Sequence, residues 1–182
     1  MTEKIPLPDE TQLGPEIVAT LKRLPALNVF RMMANAPASF QPLINFAMSI
    51  LLSSEFDKRK REIAVLRVAH MTRSSYEWTQ HVAVAKSVGV TEDEIARIAV
   101  DGPVTHLDEE GNLLCRVADE ISRDVRLSDE ALGGIKRLYG VRQATELILC
   151  CAYFNMLSRF LESTRVELET ATPLAKATGP RS

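Results

Sequence analysis

Near the middle of the chain stands Glu62-Ile-Ala-Val-Leu-Arg-Val-Ala-His70-Met-Thr-Arg-Ser74-Ser-Tyr76-Glu77-Trp78-Thr-Gln-His81. It reads as two helices meeting at a polar elbow. Ile63, Leu66, Val68 and Ala69 give the first a wide apolar face, and Ser74 to Glu77 open the second. His81 follows Glu77 by four residues, so both side chains share one helical face. Glu62 stands on the first helix in an otherwise apolar segment. Two carboxylates and an imidazole are therefore expected to converge between packed helices, a set suited to acid–base work. Each also has a plainer role. Ser74 and Glu77 fit the two halves of a capping box. His81 fits a hydrogen-bonded histidine beside a core helix, and Glu62 an exposed acid near a helix start.

Working outward, the flanking chain is helical throughout. Asp57 is a plausible N-cap for the Glu62 helix, expected over roughly residues 57–72. Lys58-Arg59-Lys60-Arg61 fills its first turn and is expected to be a solvated face or a subunit contact. Upstream, short helices are expected over Glu16 to Lys22 and Leu27 to Ala34. A longer one runs from Pro37 to Leu52, with Phe40, Leu43, Ile44, Ala47, Met48 and Leu51 at helical steps. Downstream, the second elbow helix ends near Val88 before Gly89. Thr91-Glu-Asp-Glu94 is a capping box opening another. Asp108 to Arg123 carries Leu113, Leu114, Val117, Ala118 and Ile121 on one face. Ser128 caps a weaker helix, loosened by Gly133-Gly134 and stopped at Gly140. A last long helix is expected from Arg142 to Arg165. No segment alternates with period two, so the fold class is all-α. Residues 1–170 are read as one domain and 171–182 as a loose C-terminal tail.

The chain has 182 residues, is 46% apolar and 25% charged, and carries a net charge of −2. That balance gives no electrostatic case for nucleic acid. No stretch approaches a membrane span, and no leader peptide is expected at the N-terminus, so a cytoplasmic protein is expected. Cys115, Cys150 and Cys151 match no zinc spacing and form no Cys-x-x-Cys pair. Free thiols in a reducing compartment are the plain reading. His70, His106 and the methionines Met32, Met33, Met48 and Met71 are read as structural.

Several of these residues together resemble the carboxymuconolactone decarboxylase family, which includes the AhpD-like alkylhydroperoxidases. The resemblance is carried by Arg61-Glu62, Tyr76-Glu77-Trp78-x-x-His81 and Gly89-Val-Thr-Glu-Asp-Glu-Ile95. It reaches upstream to Asn28-Val-Phe-Arg31 and residues 37–52, and more weakly downstream to Glu146 and Tyr153-x-Asn155. It implies an AhpD-like multi-helix bundle, assembled as a dimer, trimer or hexamer, with a site between helices and usually no metal. In the AhpD-like branch a Glu precedes Cys-x-x-Cys, with a His four residues after the second Cys. Registered on that pattern, Ser74 and Glu77 replace both cysteines.

The expected function is cofactor-free acid–base chemistry, of decarboxylation or isomerisation type, on a small organic acid or lactone. Glu62, Glu77 and His81 are the expected catalytic residues. Ser74, Tyr76 and Trp78 are expected to touch substrate, with Ser74 and Tyr76 at the lip of the pocket. Arg67 or Arg73 is expected to grip a substrate carboxylate. Two alternatives stand beside this. One is an AhpD-like, peroxiredoxin-type oxidoreductase, which needs a thiolate the elbow lacks. The other is a non-catalytic helical binding protein.

Overall fold

The computed structural model describes residues 3–169; the expected tail, 171–182, lies outside them. Among the described residues there is no strand. The helices are α1 (Pro15–Leu21), α2 (Asn28–Met33), α3 (Pro37–Met48), α4 (Lys58–Met71), α5 (Ser75–Ser87), α6 (Glu92–Ile98), α7 (Glu109–Asp124) and α8 (Asp129–Thr164). A short 3-10 turn precedes α1, and a π-helical turn, Ser49–Ser53, continues α3. Among the described residues no helix is long and apolar enough to cross a membrane.

Side-chain caps set most of these boundaries. Asp57 accepts from the Lys60 amide, and Asp108 and Ser128 cap α7 and α8 in the same way. Thr91 and Glu94 form the reciprocal capping box that opens α6. The stop expected at Gly140 is a break inside α8: its φ of 72° and ψ of 175° fit glycine and almost nothing else. The two segments on either side bend around it.

α4 is the central rod. It packs against α5, α6, α7 and α8, and every residue from Arg61 to Ala69 is buried. A helix buried all round should be apolar all round, yet Arg61, Glu62 and Arg67 lie inside. Each is there because it is paired. Arg67 takes Asp119 of α7 bidentately at 2.5 and 3.0 Å. Its other donors reach the carbonyls of Ile98 and Val100 at 2.8 Å and Gly102 at 2.6 Å. One guanidinium thus ties α4 to α7 and satisfies the otherwise orphaned carbonyls after α6. The loop entering α4 is pinned from α8, where Glu146 accepts from Ser54 Oγ and from the amides of Glu55 and Phe56 at 2.9–3.0 Å.

Candidate functional site

Glu62 projects from α4 toward α5 and meets His81. The His81 Nδ1–H donates to Glu62 Oε2 at 2.7 Å, and the opposite ring nitrogen, Nε2, faces Glu77 Oε2 at 3.4 Å. Arg61 Nε donates to the other Glu62 oxygen at 3.1 Å. The Arg61 guanidinium also donates to the carbonyls of Leu51 at 2.9 Å and Ile50 at 3.4 Å, in the π-helical turn. A π turn offers carbonyls that an α-helix would keep for itself. The result is a buried chain of groups: π turn, Arg61, Glu62, His81, Glu77. Glu62, His81 and Glu77 are 0%, 3% and 4% exposed.

The rest of the wall comes from α8. The Phe154 ring meets the imidazole edge-on at 4.8 Å, and Tyr153 packs on Phe154 at 5.2 Å. Tyr153 is buried, its hydroxyl pushed to a higher pKa by burial and by the charges of Glu77 and Cys150. Cys150, in the turn before, has its thiol pushed well up by burial, with Arg61 and Glu62 acting on it as well.

Charge placement follows from these contacts. Burial works to raise Glu62, but His81 and Arg61 outweigh it, so Glu62 is held below the usual carboxylate range. Burial works to lower His81; Glu62, through its charge and its hydrogen bond, outweighs that, and the imidazole is held above its usual value. Glu77 is pushed up to about 7 by burial, with Glu62 and Glu162 adding and His81 opposing. One acid stays ionised, the imidazole favours its charged form, and the second acid gains and loses its proton near neutrality. Among the described residues, no three His, Cys, Asp or Glu side chains are grouped to hold a metal ion.

Several expectations change. Glu62 is not an exposed acid near a helix start. Glu77 is not the second half of a capping box: Ser74 Oγ accepts from the Glu77 amide at 3.5 Å, but the Glu77 carboxylate turns inward to His81. The basic run does not lie on one solvated face, since Arg61 is inside while Arg59 and Lys60 pair with Glu94 and Glu110. Arg67 is occupied by Asp119 and three carbonyls, which removes it as a substrate grip. Tyr76 is not at a lip: it is buried, accepts from the Val29 amide at 3.1 Å and donates to Glu169 at 2.5 Å.

A surface cavity of about 440 Å³ opens beside the elbow, lined by His70, Arg73, Ser74, Ser75, Trp78 and Asp101 among others. Ser74 and Trp78 therefore do border open space, as does the exposed Arg73. Glu62, Glu77 and His81 do not line it. Arg73 has a φ of 55°, the left-handed kink that turns α4 into α5. The three cysteines are free and buried, and burial pushes the thiols of Cys115 and Cys151 up to about 12.

Sequence reasoning missed Arg61 as a member of the site, and Tyr153 and Phe154 as its wall. Arg61 did carry a signal. Four successive helical residues sweep most of a full turn at about 100° each, so Lys58 to Arg61 cannot all face one side.

Residues 37–120 match the Carboxymuconolactone decarboxylase family. No curated protein matches the chain. Among solved structures, an uncharacterised peroxidase-related protein from Ralstonia eutropha, described as an alkylhydroperoxidase AhpD core, superposes with a TM-score of 0.79. It is 14% identical, and the match covers 92% of each chain. An uncharacterised peroxidase-related protein from Silicibacter gives 0.72 at 18% identity, covering 91% of this chain and 87% of that one. A protein of unknown function from Agrobacterium tumefaciens gives 0.63 at 17% identity, covering 74% and 93%. At these identities the likeness is one of fold.

Proposed function

We propose, for a chain of the carboxymuconolactone decarboxylase family over residues 37–120, that Glu62, His81 and Glu77 form a proton-transfer relay acting on a small organic acid or lactone. The observation that carries this reading is the imidazole held between two buried carboxylates, at 2.7 Å on one nitrogen and 3.4 Å on the other. Glu62 accepts the Nδ1 proton, which fixes the tautomer and leaves Nε2 as the working nitrogen. Nε2 and Glu77 then share a proton whose position shifts near neutral pH, the range in which general acids and bases work best. Decarboxylation leaves an enolate or carbanion that must be protonated, and isomerisation moves a proton between carbons. Either use draws on this pair. Glu77 hangs from the helical turn that Ser74 caps, and Ser74, Arg73 and Trp78 line the cavity beside that turn.

Thiol chemistry fits these residues poorly. The elbow holds Ser74 and Glu77 where a redox pair would stand, and burial keeps all three cysteines protonated. The same reading takes the protein as a homo-oligomer. Leu52 and Val141 are each 70% exposed, and Leu149 and Met156 of α8 are exposed as well.

The test is turnover of a carboxylated lactone, followed by carbon dioxide release, in the wild type, His81→Ala and Glu77→Gln. Both variants are expected to lose at least about a hundredfold in kcat, the scale of a lost general acid, while keeping the helical circular dichroism. Undiminished turnover in folded His81→Ala would falsify the relay.

A further inference from the structure

Helix α5 carries a second pair in register with Glu77 and His81. Tyr76 and Gln80 precede them by one residue each, so they occupy the adjacent face of the helix, also four residues apart. Both are more than nine-tenths buried, and both are turned toward a single carboxylate, that of Glu169. Tyr76 Oη donates to Glu169 Oε1 at 2.5 Å and Gln80 Nε2 donates to Oε2 at 2.6 Å. The Asn28 amide donates to Oε1 as well. A carboxylate is therefore received on both oxygens by three donors.

What brings Glu169 there is a short non-helical segment. After α8 ends at Thr164, the chain turns through Arg165 in a left-handed conformation and runs back over α2 and α5. Glu167 and Leu168 are exposed and Val166 is half-buried. Glu167 reaches Lys4 at 2.7 Å, but that pair is exposed on both sides and contributes little. Its carbonyl accepts from Asn28 Nδ2 at 2.9 Å. Val166 packs against the hydrophobic core and its amide donates to the Leu161 carbonyl at 3.2 Å, and the Glu169 carboxylate fastens the far end of residues 166–169. The donors that hold it are built into packed helices, while the group they hold sits on a strap.

We propose that Tyr76, Gln80 and the Asn28 amide form a carboxylate-binding subsite, filled in the resting protein by Glu169 as an internal competitor. The recognition rests on two buried side chains rather than on the short α2 helix. Any small monocarboxylate offers the same two oxygens to the same donors. It must displace a tethered rival whose effective concentration is in the millimolar range or above. Removing the rival exposes the intrinsic affinity of the subsite. The inference concerns binding alone, so it stands or falls separately from the acid–base reading.

The probe is benzoate, with chloride at equal ionic strength as control, titrated into the full-length protein by calorimetry. Amide shifts of Asn28 and Val29 report the place of binding. Glu169→Ala is expected to bind benzoate about tenfold or more tightly than the wild type, and to gain melting temperature on addition of benzoate but not chloride. Glu169→Gln, which keeps the shape and weakens the anchor, is expected to fall between them, and it carries the test if the alanine variant does not fold. Tyr76→Phe combined with either variant is expected to abolish the gain. Equal affinity in the wild type and the Glu169 variants overturns the proposal. So does benzoate binding that Tyr76→Phe leaves unchanged, or that shifts neither amide.

Discussion

A glutamate at the third position of a helix, behind a serine cap, ordinarily reaches back to the cap's amide. Glu77 turns the other way, into a buried space beside His81. In the unfolded chain it titrates near 4.5 and in the fold at about 7. Between those values the folded protein keeps a proton that the unfolded chain has released. Stability therefore falls as pH rises through this window. Its neighbours act on either side. Glu62 is lowered, so its contribution is present above its unfolded value and is lost as pH falls through its folded one. His81 is raised, so its contribution is present below 6.5 and is lost as pH rises through its folded value. Thermal melts of Glu77→Gln between pH 4.5 and 7 are expected to lose most of the downward slope seen in the wild type. An unchanged slope would mean that Glu77 ionises freely in the fold. The spacing of Glu77 and His81 was legible in the sequence because four residues define one helical face. The direction Glu77 takes was not, because the cap and the relay use the same residue, and only tertiary burial decides between them.

At the scale of elements, boundaries followed local chemistry. Asp57, Ser74, Thr91 and Ser128 each cap the helix the sequence assigned to them, and Gly140 interrupts the chain where a stop was expected. The π turn at Ser49–Ser53 was not legible. Its carbonyls are taken by Arg61, a partner 10 or 11 residues away on another helix, and apolar periodicity carries no trace of such a bond. The polar interior of α4 was equally hidden, since Arg67 looks like any surface arginine until Asp119 arrives from α7. Asp119→Ala leaves that guanidinium charged and unpaired in the core. It is expected to cost about 3–5 kcal/mol, the usual penalty for halving a buried pair, read from urea unfolding midpoints. Asp119→Asn, which keeps an acceptor, is expected to cost less. A loss under about 1 kcal/mol for Asp119→Ala, within the range of exposed pairs, would show that the backbone carbonyls alone hold Arg67.

Across the whole molecule, the contacts that matter most join residues far apart in the chain. Tyr76 and Glu169 are separated by 93 positions, and no local pattern predicts that they meet. The exposed apolar side chains of the π turn and α8 also belong to this scale. If they form a self-contact, sedimentation velocity of the wild type shows a multimer, and Leu149→Glu with Leu52→Asp shifts it toward a single chain. A wild type that sediments as one chain at tens of micromolar removes that reading.

The start and finish of the described chain run side by side. The Ile5 amide donates to the Thr164 carbonyl at 3.1 Å, and Arg165 reaches the carbonyl of Glu3. The two limits of residues 3–165 are therefore joined in space, and a ready-made gap lies at Gly140, where the helical ladder is already interrupted and Val141 faces water. Circular permutation exploits this geometry. A rearranged gene that begins at Val141, joins residue 169 to residue 3 through a flexible linker and finishes at Gly140 should yield the same far-ultraviolet spectrum.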